Sequence, residues 1–263
     1  MTRVNEEVTT TPARPGADDA DRLAKDTGAP VTEPRFRTPF VVEFYRSALG
    51  KKWVMAVTGV IGMGFVFAHM VGNLHVFEGP GQINHYGEWL RELLDPPFPR
   101  TFTLWMLRVT LIVAIALHLH AAYALTRMNQ KARPVKYQGE RDYVAATFAA
   151  RTMRWTGVIV LLFVVYHLAD FTWGSAHPGF ERGDVYRNVV ASFEQWLISI
   201  IYIVANLALG VHLYHGAWSL FQSVGLNNPR FNPWRRWFAT AFAVVTTVGF
   251  ISVPIAVLAG VVE

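Results

Sequence analysis

Four of the five long apolar stretches in this chain carry a histidine well inside the run: His69, His118 with His120 beside it, His167, and His212 with His215. An imidazole in hydrocarbon has no water to bond and is costly unless it finds a partner, so intramembrane histidines usually mark function. Four of them on four helices make two pairs. Two bis-histidine sites at different depths are what a pair of haem groups stacked across a bilayer would require.

Bulk properties point the same way. Apolar residues make up 52% of the 263 and charged residues only 16%, and the mean hydropathy is +0.25, too apolar for a soluble domain of this length. The stretches 52–77, 102–127, 152–174, 196–224 and 237–261 each reach the roughly 20 residues needed to cross hydrocarbon as a helix. Their apolar residues run on without alternation, which argues against strands, and lipid admits only helices or closed barrels. The expected fold is therefore an all-α integral membrane protein, a five-transmembrane-helix bundle holding two haem b groups, over residues 41–263. Residues 1–40 are rich in Thr, Pro, Asp, Glu and Arg and contain no hydrophobic segment of signal-peptide type; they read as a disordered cytoplasmic N-terminal tail.

Basic residues set the expected orientation. Arg46, Lys51 and Lys52 precede the first span. The second connection holds Arg127, Lys131, Arg133, Lys136, Arg141, Arg151 and Arg154, and the fourth holds Arg230, Arg235 and Arg236. The connections 78–101 and 175–195 are poorer in Lys and Arg and carry Glu78, Glu88, Glu92, Asp95, Glu181, Asp184 and Glu194. The positive-inside rule then puts the N-terminus in the cytoplasm and Glu263 outside. The pI of about 9.6 follows from this asymmetry, and no nucleic-acid recognition fold accompanies it.

Cysteine is absent. The chain can ligate no ordinary iron–sulfur cluster, attach no c-type haem and form no disulfide. It also has neither a dinucleotide fingerprint in a strand–helix setting nor a P-loop. Its remaining redox tools are haem b and quinone, with electrons supplied by another polypeptide.

Helix direction predicts which histidines pair. His69 and His167 lie about 17 and 15 residues into outward-running spans, near 25 Å from the inner end at about 1.5 Å per residue. His118 and His212 lie about 9 and 11 residues before the inner ends of inward-running spans, roughly 13 to 17 Å from that side. An outer pair, His69 with His167, and an inner pair, His118 with His212, follow. His118 and His120 are about 200° apart around a helix, so only one of them faces the bundle. Gly59, Gly62, Gly64, Ala68, Ala114, Ala121, Ala122, Ala205, Ala208 and Gly210 leave room beside these positions for a flat ligand or for close helix packing. His75, His85 and His177 read as surface residues at the outer side.

Several strings carry a family resemblance. They are Ser47-Ala48-Leu49-Gly50-Lys51-Lys52-Trp53-Val54-Met55-Ala56-Val57-Thr58-Gly59, His69-Met70-Val71-Gly72-Asn73-Leu74, Leu125-Thr126-Arg127 with Lys131-Ala132-Arg133-Pro134-Val135-Lys136-Tyr137, and His212-Leu213-Tyr214-His215-Gly216 leading to Gly225-Leu226-Asn227-Asn228-Pro229. In this order they resemble the b558-type, di-haem cytochrome b membrane-anchor subunit of bacterial succinate dehydrogenase, over about residues 44–261. The resemblance implies haem iron ligands at His69 and His167 for one haem b and at His118 and His212 for the other. His118 is selected over His120 because it stands seven residues before the Leu-Thr pair. His212 is selected because it stands four residues before Gly216.

The resemblance further implies a multi-pass protein of the bacterial inner (plasma) membrane, partnered by a flavoprotein subunit and an iron–sulfur subunit. Electrons from succinate would reach the inner haem, then the outer haem, then menaquinone. Because succinate oxidation by a low-potential quinone is uphill, the family is thought to draw on the membrane potential, worth about 2.3 kcal/mol per charge per 100 mV. Arg127 and Arg154 are the candidate haem-propionate partners by charge. His85, Tyr86 and Glu88 are the candidate quinone residues on the outer side. Rival readings are the cytochrome b anchor of a formate dehydrogenase or hydrogenase, and an ion transporter built on histidine, for which Asp170 is the one plausible intramembrane acid.

Overall fold

The computed structural model describes residues 39–132, 148–177, 179–226, 228, 230 and 232–263, with the side chains of 148–151 left aside. The expected tail, apart from Pro39 and Phe40, lies outside the described residues, as do Arg133, Lys136, Tyr137, Arg141 and Phe231 of the basic connections. The chain divides into two units, Met1–Val42 and Glu43–Glu263.

Every regular element among the described residues is helical. They are α1 (Phe40–Arg46), α2 (Ala48–Leu74) running on into a 3-10 turn (His75–Glu78), α3 (Pro80–Glu92), α4 (Phe102–Lys131), α5 (Phe148–Phe171), α6 (Val185–Phe193), α7 (Trp196–Ser223) and α8 (Asn232–Leu258). Five of these, α2, α4, α5, α7 and α8, are long and apolar enough to cross a membrane. The five-helix expectation is thus the observed architecture. Its boundaries shift by a few residues for local reasons. Ser47 starts α2 early by accepting the Gly50 amide on its hydroxyl at 2.9 Å, an N-cap. Pro233 in the first turn lets α8 begin at Asn232 rather than 237. At its far end α8 stops at Leu258. There Gly260 takes φ +65° and the Val261 and Gly260 amides bond back to Ala256 and Val257 at 2.9 and 3.0 Å, a Schellman stop.

The packing order explains how the interior is arranged. The closely packed pairs are α2 with α4, α5 with α7, and α8 with both α7 and α2, while α2 and α7 also touch. Helix α8 can come this close because of two glycines. A Cβ on Gly210 would sit 2.3 Å from the Thr247 hydroxyl, and one on Gly249 would sit 2.3 Å from the Met70 sulfur. None of α4 with α5, α2 with α5 or α4 with α7 packs closely.

Opposite the basic end, the bundle is closed by a cap. Helices α3 and α6 lie against each other, over a cluster that includes Val76, Ile83, Phe193, Tyr202, Val253 and Val257. Asn84 of α3 fastens the cap. Its amide oxygen accepts the Val185 and Tyr186 amides at 2.8 and 3.1 Å, and its nitrogen donates to Asp184 at 3.1 Å. Asp184 in turn accepts the Arg187 amide at 3.0 Å. One side chain thus satisfies two of the free N–H groups at the start of α6. Asn84→Ala is expected to destabilise this cap by about 1 to 2 kcal/mol, read as faster amide exchange at Val185 and Tyr186 than in the spanning helices.

Candidate functional site

Toward the basic end, His118 of α4 and His212 of α7 bring their ring centroids to 6.5 Å with planes inclined at 59°. Each is held from behind by a threonine. Thr58 of α2 donates its hydroxyl to the Val54 carbonyl at 2.7 Å and lies 3.1 Å from His118 Nδ1. Thr156 of α5 donates to the Met153 carbonyl at 3.0 Å and lies 3.4 Å from His212 Nδ1. A threonine hydroxyl that gives its one hydrogen to a carbonyl can only accept from Nδ1–H, the tautomer that leaves the Nε2 lone pair free.

Nearer the cap, His69 of α2 and His167 of α5 approach to 5.8 Å between centroids with planes at 79°. His69 is packed by Phe65 and Phe250 at 5.4 and 6.0 Å. His167 lies 3.4 Å, at Nδ1, from the hydroxyl of Tyr202. Eleven residues separate Thr58 from His69, and eleven separate Thr156 from His167. At about 1.5 Å per residue the two pairs are stacked roughly 16 Å apart along the helices.

These pairs fit haem ligation. Imidazole–metal bonds of about 2 Å on opposite sides of one metal put ring centroids about 6 Å apart, and the two separations straddle that value. Each pair joins helices that do not pack closely on each other, so the rings meet across a gap. Glycines border it: a Cβ on Gly59 would lie 3.7 Å from the His118 ring, and one on Gly157 would lie 3.5 Å from that of His212. Among the described residues no three His, Cys, Asp or Glu gather as for a bare cation. A metal that brings four macrocycle nitrogens needs only the two that each pair supplies.

The threonines belong to a wider pattern. Met55, Thr58, Gly59 and His69 recur as Met153, Thr156, Gly157 and His167, all at one spacing of 98 residues. The α2–α4 and α5–α7 hairpins thus share one pattern, each pair takes one ring from each hairpin, and each hairpin's threonine backs that hairpin's own histidine of the inner pair. This spacing was the available signal for Thr58 and Thr156, since a threonine within an apolar helix otherwise attracts no notice.

His120 is exposed and bonds the Tyr45 hydroxyl, on the side of α4 away from His212. Arg127 and Arg154 are both exposed. Arg127 is nine residues from His118, half a turn out of phase, and Arg154 is about 200° from the Thr156 face. The quinone candidates also separate. His85 is exposed, Glu88 is ion-paired with Arg91 and Arg100, and Tyr86 turns toward α2, with its ring 5.0 Å from His75 and 5.8 Å from Trp89. His177 corrects the expectation of a surface histidine. It is only 6% exposed, because the turn after α5 folds it back onto Asp170, 2.9 Å away.

Residues 126–251 match the model of a protein family described as the succinate dehydrogenase/fumarate reductase transmembrane subunit. The likeness is to a membrane subunit of an oxidoreductase complex. It spans just under half of the chain and includes Thr156, His167 and His212, one histidine from each pair. No curated protein and no solved structure matches the chain.

Proposed function

We propose that this chain is the di-haem, b558-type cytochrome b anchor of a bacterial succinate dehydrogenase, carrying electrons between an iron–sulfur subunit and menaquinone. The observation that carries the reading is the pair of stacked histidine pairs, each spanning two helices that do not otherwise pack. The family match over residues 126–251 supports the same class of complex. Haem b, when bound, supplies one-electron carriage at each of the two levels. The protein's part is to present four Nε2 lone pairs, with Thr58 and Thr156 fixing the tautomer of the inner two. The basic end, facing the cytoplasm by the positive-inside rule, receives the flavoprotein and iron–sulfur subunits. Quinone is assigned to the side of the outer pair, where Tyr86 is the member of the set His85, Tyr86 and Glu88 that faces the bundle.

Purification of the complex in mild detergent tests this. A pyridine haemochrome assay should return two haem b per chain with six-coordinate, low-spin spectra, and the co-purifying proteins should be a flavoprotein and an iron–sulfur protein. One haem or none would end the pairing. A molybdenum or nickel enzyme among the partners would transfer the chain to the formate dehydrogenase or hydrogenase class.

A further inference from the structure

Asp170, three residues past His167 near the cap end of α5, is fully buried. A carboxyl group removed from solvent is unfavourable unless its oxygens are satisfied, and here three side chains do so. The Ser192 hydroxyl of α6 lies 3.0 Å from both oxygens, His177 Nδ1 lies 2.9 Å from one, and the Tyr202 hydroxyl of α7 donates to the other at 2.8 Å. The third contact gives the cluster a direction. Tyr202 is itself buried and stands between Asp170 and His167, whose Nδ1 is 3.4 Å from its oxygen. Its single hydrogen goes to Asp170, so it can only accept from His167. The order is Nδ1–H of His167 to the Tyr202 oxygen, and the Tyr202 hydrogen to the Asp170 carboxylate.

We propose that Asp170 and Tyr202 are positioning residues for His167, a carboxylate–tyrosine relay that fixes its tautomer and strengthens it as a ligand of the outer haem iron. This rests on the haem reading above. The inner pair is backed by threonine hydroxyls and carbonyls, which are neutral, whereas the outer pair is backed on one side by an acid acting through one phenol. Partners behind a metal-bound imidazole raise its basicity and orient its ring, and a more basic ligand favours the ferric over the ferrous state. The relay therefore lowers the midpoint potential of one haem and not of the other. Ser192 and His177 tie the same carboxylate to the cap, so the outer ligand is held by the element that closes that end of the bundle.

The test is a redox titration of the purified complex followed by visible and low-spin EPR spectra, with the outer haem identified as the one that His167→Ala removes. Tyr202→Phe leaves Asp170 its Ser192 and His177 partners and breaks only the link to His167. It should retain two haems per chain, raise the midpoint potential of the outer haem, alter its EPR signal, and leave the inner haem unmoved. Asp170→Asn should move the same haem in the same direction. A purely structural role predicts lowered stability or haem loss with no selective shift. Two haems in the wild type with both potentials unmoved in Tyr202→Phe would overturn the inference and spare the haem reading. A wild-type chain without haem would sink both.

Discussion

Replacing His118 by alanine is expected to cut the haem content from two per chain to one, while replacing His120 leaves both. The two residues differ by only two positions, yet their surroundings are opposite. His118 faces His212 at 6.5 Å and is backed by Thr58; His120 is exposed and bonded to Tyr45. A bis-imidazole site that loses one imidazole retains a single axial bond, and no neighbouring histidine of α4 can rotate in, because the next candidate is about 200° away. Haem quantitation and a reduced-minus-oxidised spectrum of each variant read the outcome. His212→Ala should behave as His118→Ala does. If His120→Ala empties the site instead, the threonine-backed pair is not the ligand pair.

The second large effect is expected at the basic end. Under the proposed function a chain without cysteine takes its electrons from a protein bearing iron–sulfur clusters, and the exposed cations Lys52, Arg127 and Lys131 lie where that partner would dock. Reversing all three to glutamate should release the soluble subunits, by pull-down from detergent extract, and leave the haem spectrum intact, since none of the three touches a histidine pair. Opposed charges steer and orient such encounters, and reversing them converts attraction to repulsion over a Debye length of about 8 Å at physiological salt. A complex that survives reversal moves the docking face elsewhere, toward the exposed Trp234 and Trp237 at the start of α8.

The five spans and the partner of each histidine were legible in the sequence for one reason: antiparallel helices turn sequence position into depth, so His69 and His167 had to share a level. Which face of α4 points inward needs the rotation of a helix, and the sequence alone left His118 and His120 open. Tyr202 was illegible for a related reason, because its place between His167 and Asp170 depends on how α7 is turned against α5. His177 was misread because chain reversal happens in the loop, where Gly174 at φ +71° folds the following residues back under the cap. The Thr58 and Thr156 supports are marked in the sequence only by their spacing of 98 residues, because a single threonine in an apolar helix carries no sign of a histidine partner.

That spacing also bears on assembly. Neither hairpin can complete a histidine pair by itself, since each level draws one ring from α2–α4 and one from α5–α7. Anything gripped by both rings is a cross-link between halves that otherwise meet chiefly through α2, α7 and the α8 strut. Under the proposed function, a haem captured at either level would therefore tie the two hairpins together. The two hairpins, made as separate polypeptides, would have to find one another before either could hold colour.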